Sequence, residues 1–161
     1  MTKKKSILAF MLAICLMIPA AFMLTACGAK KSVVGSWETY QMIVPAEKEG
    51  EQDTIVNVGD EFEGIVLSKD TFELTLEDDM SLKFTQTVGS MSMNANSTCT
   101  NNDGVYFAEL VIKFSGDEHT LYLQFTYDKD NDRISCALQE KDVETGEYTT
   151  GFNVIFSRAN G

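Results

Sequence analysis

Few residues in this 161-residue chain are placed to do chemistry, and their spacing bears on location more than on catalysis. Cysteines stand at Cys15, Cys27, Cys99 and Cys136. No Cys-x-x-Cys pair and no Cys/His cluster occurs, so a tetrahedral zinc site is not expected. Cys99 falls in a polar stretch and Cys136 in an expected strand. They are candidates either for a disulfide or for two isolated thiols, because sequence does not set the Cα separation a bridge needs. His119 is the single histidine. It follows Asp117-Glu118 in an expected turn, and no motif ties it to a serine, a cysteine or a second base. Asp128, Asp130 and Asp132 alternate as carboxylates do at the opening of a calcium loop. That loop needs Gly at its sixth position and Glu at its twelfth. Arg133 and Gln139 stand there instead, and an acidic hairpin turn accounts for the same residues. No two inward-facing acids are marked as a glycosidase pair. The expectation is a protein that is not an enzyme and needs no metal or cofactor.

Cys27 is different, because its surroundings form an ordered pattern. Lys3, Lys4 and Lys5 make a positive start, an apolar run extends from Ile7 to Leu24, and Leu24-Thr25-Ala26-Cys27 follows. This quartet resembles the bacterial lipobox, in which a leucine and two small residues precede an obligatory cysteine. The resemblance implies acylation of the Cys27 thiol and cleavage in front of it. It divides the chain into a signal peptide at 1–26, a lipidated cysteine and tether at 27–32, and a domain at 33–161. An uncleaved anchor and a plain secretory signal compete for the same residues, since the apolar run is close to the ~18 residues a spanning helix requires. With a diacylglyceryl group on Cys27, two chains would hold the protein stably at a membrane. The expected location is the cell membrane, lipid-anchored and facing the extracytoplasmic side.

Charge narrows the partners. The whole chain carries a net charge of −11. Without the three lysines of the signal, the 13 basic residues become 10 against 24 acidic ones, a net of −14. Nucleic acid is not expected as a partner, because its phosphates call for Lys and Arg. An acid excess of this kind suits a solvated outward surface.

Nearly everything after the tether alternates with a period of two, the mark of half-buried strands. Phe72, Leu74 and Leu76 share a face, as do Leu82, Phe84 and Val88, although Gln86 interrupts that second set. Tyr106, Ala108, Leu110, Ile112 and Phe114 form a third face, and Leu121, Leu123, Phe125 and Tyr127 a fourth. Ile134, Cys136 and Leu138 precede a last set of Phe152, Val154 and Phe156. Turn residues separate them, most plainly Asn101-Asn102-Asp103-Gly104. Pro45 to Asp53 reads as a loop, and Thr54 to Glu63 as a short strand or a helical turn. Met91 to Asn96 reads as a strand whose methionines face a cavity, or as an edge near an opening. Successive short connections mean antiparallel hairpins. The expected fold is all-β, an antiparallel up-and-down meander closing into a small barrel.

Gly35-Ser36-Trp37, at the head of this meander, resembles the Gly-x-Trp signature that opens the first strand of lipocalins. The resemblance implies that Trp37 lies across the closed end of the barrel, with an arginine from the end of the last strand packed on it. Arg158 is the residue placed to do so, by cation–π stacking. No clear counterpart of the family's second motif is present. The chain is more similar to small bacterial lipocalin-like lipoproteins than to the animal members. By that resemblance the barrel is expected to take a small apolar or amphipathic ligand, lined by Phe72, Leu74, Phe84, Met91, Met93, Leu110, Ile112, Leu123 and Phe125. The alternative is a barrel filled by its own side chains, acting on a protein partner in the envelope through its loops.

Overall fold

The computed structural model describes residues 31–159, apart from 47, 49, 115, 116 and 143. The expected signal of 1–26, Cys27 and most of the tether lie outside the described residues. Ser32–Gly161 form a compact unit with its own core, the condition for folding as an independent domain. The strands are β1 (Gly35–Val44), β2 (Thr54–Asn57), β3 (Glu61–Phe62), β4 (Ile65–Val66), β5 (Phe72–Leu76) and β6 (Ser81–Val88). They continue as β7 (Met91–Thr98), β8 (Thr100–Asn102), β9 (Val105–Phe114), β10 (Asp117–Asp128), β11 (Arg133–Lys141) and β12 (Tyr148–Arg158). Among the described residues there is no helix.

The main sheet runs β7-β6-β5-β1-β12-β11-β10-β9-β8, with every pairing antiparallel. This is the expected all-β meander curled into a nearly closed barrel, compatible with a lipocalin-like fold. The two ends of the strand order meet because β7 and β8 are successive pieces of one extended stretch. β7 pairs with β6, the chain bends at the buried Cys99, and β8 pairs with β9. The Cys99 amide donates to the Met80 carbonyl at 2.8 Å, which holds the bend against the β5–β6 turn. Beside it the Ser97 hydroxyl donates to the Glu109 carbonyl at 2.7 Å, stitching β7 to β9 where no backbone ladder runs.

Alternation decides what fills the barrel. Leu74, Leu76, Leu110, Phe125, Ile134, Cys136, Val154 and Phe156 have no measurable exposure. These are the residues whose period-two spacing put them on one face. An eight-stranded barrel is just wide enough to be filled by side chains or to hold one small ligand. Here the middle and one end are filled.

That filled end is closed by the first and last strands. Trp37 of β1 sits opposite Arg158 of β12 in the ladder. The guanidinium lies 4.2 Å from the Trp37 ring, and the indole N–H donates to the Val33 carbonyl at 2.9 Å. Tyr127 meets the same ring edge-on at 5.6 Å. Arg158 also binds Asp132 through two hydrogen bonds of 2.9 Å and donates to the Val34 and Ser32 carbonyls. Asp132, which the sequence placed in an acidic turn, is thus the carboxylate that orients the closing arginine. It accepts the Tyr127 hydroxyl as well, at 2.8 Å. Burial, and then this bond to a carboxylate, push the Tyr127 phenol above its usual pKa.

Gly35 follows from this packing. Its φ is +136°, and a Cβ there would lie 2.6 Å from Arg158 Nη1. Gly35→Ala should therefore lower stability by about 1–3 kcal/mol. Urea unfolding of residues 32–161 checks this, the expected result being a lower midpoint with an unchanged slope.

Candidate functional site

The open end of the barrel exists because β1 changes partners partway along. Gly35 to Glu38 pair with β5, whereas Gln41 to Val44 pair with β2. The change coincides with a register shift between Thr39 and Gln41 on the β12 side, so Tyr40 is an extra residue in the ladder. Thr39 spans the split. Its buried hydroxyl donates to the Phe72 carbonyl and accepts from the Phe72 amide, both at 2.8 Å. Beyond this bond β1 and β5 diverge, and the wall between them is made by the segment from β2 to Leu67.

Within that segment β3 and β4 form a separate two-stranded hairpin. Its turn residues, Glu63 (φ 51°) and Gly64 (φ 80°), both lie in the left-handed region, as a two-residue type I′ turn requires. The hairpin is fastened at its root. The Gly59 amide donates to the Leu67 carbonyl at 2.8 Å, and the Leu67 amide to the Asp60 carbonyl at 2.9 Å. Val56 and Leu67 are buried beneath it, whereas Ile65 and Val66 remain exposed.

Between the hairpin and the barrel mouth lies a pocket of about 320 Å³. Met42 and Val44 of β1, Phe72 of β5, Gln86 and Val88 of β6 and Phe152 of β12 form its barrel side. Phe62, Glu63, Ile65, Leu67 and Thr71 form its hairpin side. The volume falls in the range of small-molecule sites, and the lining has their character, apolar with few polar groups. The Thr71 hydroxyl is occupied, accepting from the Ser68 amide at 2.8 Å. The Gln86 amide is half-buried and makes no side-chain hydrogen bond to other described residues, which leaves it as the pocket's polar handle.

Of the residues expected to line a ligand site, Phe72 borders this pocket. Leu74, Phe84, Leu110, Leu123 and Phe125 are at most 1% exposed and pack the core, so the interior they share is occupied by side chains. Ile112 and Met93 are half-buried. Met91 is 58% exposed at the rim, opposite Val88, which matches a strand edge near an opening. Sequence reasoning missed Met42, Val44, Phe62, Ile65 and Leu67, which lie outside the clear alternating strands or at their ends. One signal for the site was present. Gln86 breaks an apolar face, and it does so where the core gives way to the pocket.

The other chemistry-bearing residues do not converge. Cys99 and Cys136 are both buried free thiols. Burial raises the Cys99 pKa to about 11, and raises that of Cys136 further, with Cys99 adding to the effect. Asp128 turns its carboxylate to the amides of Asp130 and Asn131, at 2.9 and 3.2 Å, while Asp132 serves Arg158. Among the described residues, no group of three or more His, Cys, Asp or Glu is arranged to hold a metal ion. His119 is exposed on β10. On the outer wall, Arg133 stacks on the Tyr40 ring at 3.4 Å and keeps Nη1 buried without a hydrogen-bond partner among the described residues. The sequence matches no protein-family model and no curated protein.

Thr39→Val removes both bonds to the Phe72 backbone and should destabilise the domain by about 1–3 kcal/mol in urea. Thr39→Ser, which keeps the hydroxyl, should lose clearly less. The buried thiols also set an alkaline limit. Their folded pKa values are raised, so the stability they contribute is fully present below the ordinary value of 9.0 and declines as pH rises towards about 11. Midpoints measured across that window should fall, and Cys99→Ala should flatten the decline.

Proposed function

We propose that this chain is a lipid-anchored extracytoplasmic protein of the cell membrane, whose barrel binds a small apolar or amphipathic molecule at its mouth. The pocket of about 320 Å³ between the β3–β4 hairpin and the open end carries the ligand reading. One water occupies about 30 Å³ and a methylene about as much, so the space suits a slim body of roughly ten carbons. The anchor rests on the order of Lys3 to Lys5, the apolar run and Leu24-Thr25-Ala26-Cys27. Barrel geometry fits the two together. Ser32 and Val33 contact Arg158 and Trp37, so the domain's first residues lie at the filled end and the mouth opens at the other. Residues 28–32 reach at most roughly 18 Å when extended.

The alternative, an interaction module, has its own support. The barrel below the mouth is packed solid, and Ile65, Val66 and Met91 are exposed around the opening. A protein partner could seat on that rim.

Native mass spectrometry on residues 32–161, purified gently from a bacterial host, separates the two. A reproducible excess mass that disappears on unfolding is expected for an occupied pocket. A bare mass, with no uptake from a panel of amphiphiles, would sink the ligand reading and leave the interaction module. For the anchor, the full chain expressed in a bacterium should carry a diacylglyceryl mass on an N-terminal Cys27 and partition into membranes. Cys27→Ser should abolish the diacylglyceryl mass and the cleavage before residue 27.

A further inference from the structure

The charges around the mouth restrict what kind of head a ligand can carry. Among the described residues lining the pocket, Glu63 alone is charged, and none is Lys or Arg. A second recess of about 430 Å³ lies along the hairpin and shares Ile65, Thr71 and Val88 with the first. Among its described lining residues the charged one is Asp70. Whichever side of the hairpin a head group leaves by, the charge it meets is a carboxylate.

Several lysines of the domain are engaged elsewhere. Lys69 holds Glu38 at 2.7 Å, Lys113 holds Glu118 at 2.9 Å, and Lys48 lies 3.8 Å from Glu51. The Lys141 ammonium sits 5.3 Å from the centroid of the Tyr148 ring. Around the pocket itself stand Phe62, Phe72 and Phe152, whose ring faces attract cations and not anions. The excess of acids over the whole chain adds a field of the same sign. Gln86 can donate to one head or accept from another, so it does not choose between charges.

Backbone strain points to the same residue. Glu63 occupies the first position of a type I′ turn at φ 51°, a conformation that favours Asn, Asp or Gly. A glutamate is therefore held at the rim of the pocket at a conformational cost. Strain of this kind collects where a side chain has a task.

We propose that the mouth pocket selects amphiphiles with a cationic amine head and discriminates against carboxylates of equal chain length, with Glu63 as the selecting charge. The proposal rests on the ligand reading given above. Glu63 is exposed, so its ion pair is screened and its effect is moderate.

The test is calorimetric titration of residues 32–161 with dodecyltrimethylammonium, dodecylamine, dodecanol and dodecanoate, each below its micelle concentration. Both cations should bind about threefold to tenfold more tightly than dodecanoate, with dodecanol between, and added salt should shrink the spread. Glu63→Asn relieves the turn, so folding is not at risk. It should bring cations and alcohol to within about twofold of each other. Diffuse adsorption of cations to an acidic surface would not respond to the loss of one charge. Dodecanoate binding as tightly as the amines, or a cation preference that survives Glu63→Asn, overturns the proposal and leaves the ligand reading standing. Uptake of none of the four overturns both.

Discussion

A barrel built as a meander depends on its first and last strands finding each other, because until they pair each presents an open edge. In this protein the meeting of β1 and β12 is organised around one guanidinium. Arg158 stacks on Trp37, holds Asp132 by two bonds and reaches the carbonyls of Ser32 and Val34. Its ion pair is partly exposed on both sides, about a third for Arg158 and somewhat less for Asp132. The charge itself therefore contributes modestly. The larger effect is geometric, since one planar group brings together the chain before β1, the end of β12 and the β10–β11 turn. Gly35 is small and left-handed so that the backbone can pass beneath that group.

Closing one end so tightly leaves the other to differ. At the filled end every strand is paired and the core is dense. Above Thr39, β1 moves from β5 to β2, and the barrel wall becomes a short hairpin instead of a long ladder. Thr39 makes the transition tolerable by satisfying the Phe72 amide and carbonyl at the point of divergence. Buried backbone groups without partners would otherwise oppose the opening. The pocket is thus a consequence of strand exchange and not of an underpacked core. The hairpin covering it is short, is joined to the wall through its root, and exposes Ile65 and Val66 at moderate to high levels. Elements with few buried contacts open most readily.

Much of the fold could be read from alternation. Phe72-Leu74-Leu76, Leu121-Leu123-Phe125 and Phe152-Val154-Phe156 face inward as their spacing implies, and Asp103-Gly104 turns where expected. Gly35, Trp37 and Arg158 were also visible as types at the two ends of the meander. The pocket was not legible in the same way. Its lining comes partly from a segment of two-residue strands, too short to show any period, and partly from strand ends where alternation stops. Leu74, Phe84 and Leu110 carried the same inward signal as a ligand-lining residue, because facing inward does not distinguish filling a core from surrounding a cavity.

By itself the sequence determined the strand class, the inward faces, the acid excess and the pattern ending at Cys27, since each depends on residue type and near neighbours in the chain. Tertiary structure alone decided three things. Asp132 became the partner of an arginine 26 residues away instead of one carboxylate of a turn. Cys99 became the bend by which one strand serves both edges of the sheet. The cavity settled at the mouth, under a hairpin anchored by Leu67. All three depend on distances between remote segments, and those are set only when the barrel closes.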